Sequence, residues 1–170
     1  VSAPDTPAVE ILPFAPADAA GVQSLILSIQ RQEFGVAITL DDQPDLQAIP
    51  AFYQCASGQF WVARTGGKVV GTIGLKDIGA GDGALRKMFV DAAWRGGEHR
   101  VAARLLETLL AWCASRRMRA VYLGTTEKFL AAHRFYEKHG FRQVDERNLP
   151  AAFPRMAVDT RFYVREIGRG

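Results

Sequence analysis

Apolar positions follow two spacings along this chain, and each change of spacing marks an element. Val9 to Phe14 is apolar-rich and runs into prolines, which predicts a first strand. Asp18 to Glu33 carries Val22, Leu25, Ile26 and Ile29 three or four apart, the signature of an amphipathic helix. Phe34 to Gln43 breaks into loop, and Pro44 to Cys55 reads as a short helical stretch interrupted by Pro50. Gln59 to Arg64 and Lys68 to Ile78 are strand patterns joined by the turn Thr65-Gly66-Gly67. After a second turn at Ala80-Gly81-Asp82-Gly83, Ala84 to Val90 predicts the next strand. His99 to Arg117 is the clearest helix, with Val101, Leu105, Leu106, Leu109, Leu110 and Cys113 on one face. Ala120 to Gly124 reads as a short buried strand, and Phe129 to His139 as a helix closed by Gly140. Phe141 to Val144 and Met156 to Ile167 are the last strands. The order β-α-α-β-β-β-α-β-α-β-β predicts one mixed α/β domain over residues 9–170, after a disordered lead-in at 1–8.

Composition narrows the class little. The chain has 170 residues, 48% apolar and 23% charged, ordinary for a globular domain with its own core. The formal net charge of +3 suits a small anionic ligand and is weak grounds for a nucleic-acid partner. Cys55 and Cys113 imply no disulfide framework and fit a reducing cytoplasm. His99, His133 and His139 form no metal-binding spacing with them, so no metal site is expected. The N-terminal segment lacks the pattern of a signal peptide, and no apolar run is long enough to span a bilayer. These features give the expectation of a cytoplasmic protein without a membrane or nucleic-acid partner.

The chemistry concentrates between Leu85 and Arg104. A strand runs into a loop with Gly96 and Gly97, and the loop opens a helix. That arrangement turns backbone N–H groups and the positive end of a helix dipole toward one spot, which suits phosphates. Arg95 and Arg100 add charge. An ordinary strand-to-helix turn with surface arginines reads the same residues equally well.

Lys87-Met88-Phe89-Val90, Trp94-Arg95-Gly96 and Val101-Ala102-Ala103-Arg104-Leu105-Leu106 together resemble the acetyl-CoA motif of the GNAT N-acetyltransferase superfamily. That family carries Arg/Gln-x-x-Gly-x-Gly/Ala at the helix start. Here Gly97-Glu98-His99-Arg100-Val101-Ala102 fills the window, with a longer loop, Arg100 in place of a glycine and Arg95 as the substitute for the first position. Ala132-His133-Arg134-Phe135-Tyr136-Glu137-Lys138-His139-Gly140-Phe141 resembles the family's second signature. Phe129 stands where the family usually has a cofactor-contacting asparagine, and Ala84 where many members have a glutamate.

The resemblance implies the GNAT fold, a mixed and mostly antiparallel sheet of about seven strands with about four helices, in a single-domain bacterial-type member. It implies acetyl-CoA as cosubstrate, a small primary amine as acceptor and a possible homodimer. It places Met88, Phe89, Val90, Arg95, Gly96, Gly97, His99, Arg100, Val101, Ala102, Phe135 and Lys138 around the cofactor. Tyr136 becomes the general acid for the CoA thiolate, and Glu33 the candidate proton acceptor. A non-catalytic acyl-CoA-binding module on the same fold is the alternative.

Overall fold

A computed structural model describes residues 8–168. The expected lead-in falls almost wholly outside the described residues. Seven strands form one sheet in the order β1-β2-β3-β4-β5-β7-β6: β1 Glu10–Pro13, β2 Gln59–Thr65, β3 Lys68–Gly79, β4 Asp82–Val90, β5 Ala120–Thr125, β6 Arg142–Val144 and β7 Arg161–Glu166. The helices are α1 Ala19–Gln32, α2 Ile49–Phe52, α3 Val101–Ser115 and α4 Leu130–Lys138. All pairings are antiparallel except β4 with β5.

Four expected boundaries shift, each for a local reason. The α3 helix starts at Val101 rather than His99, because Arg100 adopts the left-handed conformation (φ 47°, ψ 43°) and cannot lie inside a right-handed helix. The second helical stretch splits into a 3-10 turn at Pro44–Gln47 and the single turn α2, with Ala48 outside helical geometry between them. The β4 strand begins at Asp82, two residues early, because Ala80-Gly81 alone makes the turn, both at positive φ. The last strand begins only at Arg161, since residues 156–160 hold a turn closed by Asp159 N–H donating to Met156 O.

Packing separates the two faces of the sheet. On one face α3 and α4 cover Trp61, Ile73, Leu75, Leu85, Val121 and Leu123, and Val101, Leu105, Leu106, Leu109 and Cys113 come down from α3 fully buried. Each such leucine contributes about 1.5–3 kcal/mol of transfer free energy. The other face carries two clusters. One lies beneath α1 and α2 and includes Phe60, Val62 and the partly buried Phe89. The second groups Ala84, Leu149, Phe153 and Phe162.

Two irregularities of β4 open the space beside it. First, β4 pairs with β5 only at Asp82–Ala120, Gly83–Val121 and Ala84–Tyr122, so the strands part from Leu85 onward. Second, β4 has one residue more than β3 between Thr72–Phe89 and Gly74–Arg86, a β-bulge with Lys87 at φ 54°. Thr72, fully buried, holds the bulge by donating its hydroxyl to Lys87 O at 2.7 Å.

Candidate active site at the parting of two strands

The parted strands leave backbone groups of β4 without a sheet partner. Asp91 N–H donates to Val70 O on β3, so the alternation of a strand turns the N–H and C=O of Val90, and of Met88 two residues earlier, toward the gap. Arg95 Nε donates to Val90 O at 2.8 Å, consistent with that direction.

The tyrosine of α4 closes the gap from the other side. Tyr136 is buried, and its hydroxyl lies 3.6 Å from Met88 Sδ, a weak acceptor. Burial raises the phenol well above its ordinary pKa, so it is a firmly protonated donor at neutral pH. Its ring packs edge-on against Phe135 and Phe141. Phe135 therefore joins the core and leans on His139 as well. Lys138, at the end of α4, is exposed.

The loop from β4 to α3 presents its backbone. Gly96 and Gly97 both sit at φ 69°, with open space where a side chain would stand. The first backbone bond into α3 is Arg104 N–H to Arg100 O, and no side chain caps the helix. The N–H groups of Val101, Ala102 and Ala103 therefore have no carbonyl within the helix to meet. His99 stacks on Trp94 at 4.7 Å, which holds the loop against the core. Arg100 reaches along α3 to Glu107 at 3.0 Å.

The structure brings together two residues that the sequence assigns to different tasks. Arg95 and Glu33 form an ion pair, with Arg95 Nη2 donating to Glu33 Oε2 at 2.8 Å. Glu33 caps the C-terminus of α1, so this pair ties α1 to the glycine loop. Beside it Phe34 packs on Phe129 with ring centroids 4.6 Å apart. Phe129 thus makes an apolar bridge to the end of α1. Phe89 stands apart from the gap: its side chain packs on the α1–α2 face, leaving only its backbone on that side of β4.

Sequence reasoning missed the polar group on that face. Lys87, nearly buried, donates to Gln43 Oε1 at 2.5 Å and lies 3.9 Å from Asp45. Burial lowers the Lys87 pKa, Asp45 partly restoring it and Arg86 opposing. Tyr53, fully buried, donates to Asp45 Oδ2 at 2.6 Å and accepts from Arg86 Nε at 3.3 Å. A helical reading of Pro44–Cys55 leaves Asp45 and Tyr53 about 12 Å apart along the axis; the break at Ala48 lets them meet. Nothing in the local pattern links them to Arg86, which is 33 residues from Tyr53 along the chain.

Comparison with known proteins agrees with this architecture. The acetyltransferase (GNAT) family matches residues 25–141. A GNAT-family acetyltransferase of Staphylococcus aureus Mu50 superimposes with a TM-score of 0.89 at 38% identity, covering 95% of this chain and all of that one. An acetyltransferase of Streptococcus agalactiae gives 0.87 at 31% identity, covering 93% and 98%. In sequence, N-acetylaspartate synthetase of Danio rerio is 36% identical over 104 residues, 60% of this chain and 36% of that protein. The chain thus spans roughly a third of the length of that relative, and 42% of the mouse N-acetylaspartate synthetase. The family match takes in β2 to α4 whole, with the parted strands, the glycine loop and Tyr136 inside it, and on that ground the chain belongs to the acetyltransferase (GNAT) family.

Proposed function

We propose that this protein transfers an acetyl group from acetyl-CoA to a primary amine by direct attack, without a covalent enzyme intermediate. The observation that carries this reading is the Tyr136 hydroxyl at Met88 Sδ, in the gap between β4 and β5 and beside the uncapped start of α3. The pyrophosphate of CoA meets the N–H groups of the loop and of Val101 to Ala103, where the helix dipole favours anions. Met88 and Val90 N–H take the pantetheine arm and polarise the thioester carbonyl as it becomes an oxyanion. The amine nitrogen bonds to that carbonyl carbon, the C–S bond breaks, and Tyr136 stabilises the departing thiolate.

Reference pKa values are about 8.5 for a thiol and about 10 for tyrosine, so proton transfer between them is uphill by about 2 kcal/mol. Burial of Tyr136 widens that difference, while the same dry surroundings raise the proton affinity of the thiolate. Tyr136 therefore acts by hydrogen bonding as charge develops on sulfur, with proton delivery completing as CoA leaves.

The amine must attack as the neutral form. For a lysine-like amine this costs about 4–5 kcal/mol at pH 7, and for a peptide-like α-amine only about 1 kcal/mol, a free carboxylate beside the amine raising the latter cost. Ala84, fully buried, offers no base at the start of β4. A low-pKa acceptor fits these surroundings, with Glu33 taking the proton through water once CoA phosphates have drawn Arg95 away. The test is release of free CoA thiol from acetyl-CoA in the presence of amino acids, polyamines, aminoglycosides and peptides, alongside melting temperature with acetyl-CoA. Thiol release with at least one amine, together with a rise in Tm, is the expected outcome. No release and no thermal shift at millimolar acetyl-CoA overturns the reading.

A further inference from the structure

We propose that Arg86 is the specificity-determining residue for the acceptor, that it binds a carboxylate, and that the acceptor is a small free amino acid. The proposal rests on the acetyltransferase reading above and names the substrate class of that same site.

Arg86 lies on β4 where the face opposite α3 has no continuous core. Phe89 belongs to the cluster under α1 and α2, and Ala84 to the separate cluster formed with Phe153 and Phe162. Arg86 stands between them, half-buried, at the first stretch of β4 that β5 no longer covers. Its Nε donates to the Tyr53 hydroxyl, and Tyr53 in turn donates to Asp45. Both partners are buried, so the guanidinium is anchored at one nitrogen and its orientation is set. The aromatic face of Phe52 lies 5.6 Å from its Cζ.

The remaining two nitrogens of Arg86 make no hydrogen bond among the described residues, and no carboxylate there lies within 4.0 Å. Lys87, next to it on β4, is already paired with Gln43 and Asp45. Lys76 adds a second cation, 3.9 Å above the same Phe52 ring and, among the described residues, without a carboxylate of its own within 4.0 Å. An oriented, half-buried guanidinium fork with no carboxylate partner among the described residues matches a planar anion that accepts two parallel hydrogen bonds.

An acid lies on the β5 side. The Asp159 carboxylate occupies the space a side chain would need at Gly124 on β5, with Oδ2 2.5 Å from that position. Burial raises its pKa and Arg86 acts against that rise, yet the two do not close into an ion pair. A zwitterion placed between them meets a cation with its carboxylate and an acid with its ammonium. Arg86 precedes Met88 by two residues, across the bulge at Lys87. A ligand whose amine is one carbon from its carboxylate therefore presents that amine toward the gap where the thioester would lie.

The experiment compares each L-amino acid with its own carboxamide as acceptor, with kcat/KM referred to the neutral amine of each, by CoA thiol release. We expect the free acid to exceed the carboxamide in kcat/KM by at least about tenfold for the preferred side chain, as a charge-assisted pair would give. In R86Q this preference falls to near unity, and in R86K it is partly kept, while the rise in Tm with acetyl-CoA is unchanged in both. Equal use of acid and carboxamide by the wild-type protein overturns the proposal without any variant. A preference that survives in a folded R86Q does so too. If polyamines or peptides are acetylated and no amino acid is, Arg86 is not a carboxylate site and the acetyltransferase reading stands. If nothing is acetylated and acetyl-CoA gives no thermal shift, both fall together.

Discussion

Tyr136 carries its hydroxyl into the core with a thioether to meet it, at 3.6 Å. A buried donor with so poor a partner contributes little to stability, because the hydrogen bond gained is weaker than the hydration lost. Tyr136→Phe should therefore leave the melting temperature within a few degrees of the wild type. It should lower kcat by about tenfold to a thousandfold, within the range for acid–base assistance, with the apparent affinity for acetyl-CoA almost unchanged. Steady-state kinetics with calorimetric melting separates the roles, since a merely packed tyrosine would keep full turnover. Gly140 supplies a contrasting case in which stability alone is at stake. Its φ is 87°, and a Cβ there would collide with Arg165 Nη1, which donates to His139 O. Gly140→Ala should destabilise the fold by about 1–3 kcal/mol through backbone strain and the displaced arginine. Denaturant midpoints would read that loss, and an unchanged midpoint would mean the turn relaxes freely.

The ion pair between Arg95 and Glu33 couples two elements, α1 and the loop that opens α3. Each group neutralises the other here, and on the proposed reading the phosphates of CoA would compete with Glu33 for Arg95. Glu33→Gln should therefore tighten CoA binding, by no more than about fivefold, since a solvent-exposed pair is worth about 0–1 kcal/mol. The same substitution should lower turnover at neutral pH if Glu33 receives the amine's proton. Equilibrium titration with CoA and a kcat measurement at pH 7 test both arms, and weaker binding in Glu33→Gln would refute the competition.

Across the whole molecule all four tyrosines, Tyr53, Tyr122, Tyr136 and Tyr163, have raised pKa values, with burial as the first cause in each. The folded state keeps these protons after the unfolded chain, at about pH 10, has released them. Their contribution is thus fully present below about pH 10 and is lost as pH rises beyond it. Tyrosinate absorbance should consequently appear late and together with unfolding, rather than as an independent titration near pH 10. A smooth non-cooperative titration with the fold intact would contradict this. The two thiols should differ likewise. Cys113 is buried under α3 with its pKa pushed up to about 12, whereas Cys55 is exposed. A thiol reagent should label one cysteine rapidly in the folded protein and the second only after denaturation.

What the amino-acid sequence determined by itself was the order of elements and the short-range chemistry. Periodicity is a property of neighbours, so α1, α3, the hairpin of β2 and β3 and the closing glycine of α4 were legible in it. Tyr136 and the glycine loop could be singled out because each lies in a contiguous motif. The tertiary structure alone decided which groups share a site. The left-handed Arg100 that delays α3, the bulge at Lys87 and the parting of β4 from β5 arise where distant strands meet, and none leaves a periodic trace. For the same reason Arg95 and Glu33, two candidates drawn from separate segments, proved to be partners. Arg86 remained one cation among several until the fold set Tyr53, itself bonded to Asp45, against it with no carboxylate within 4.0 Å among the described residues. A side chain's charge is written in the chain; whether that charge is neutralised depends on what the fold places beside it.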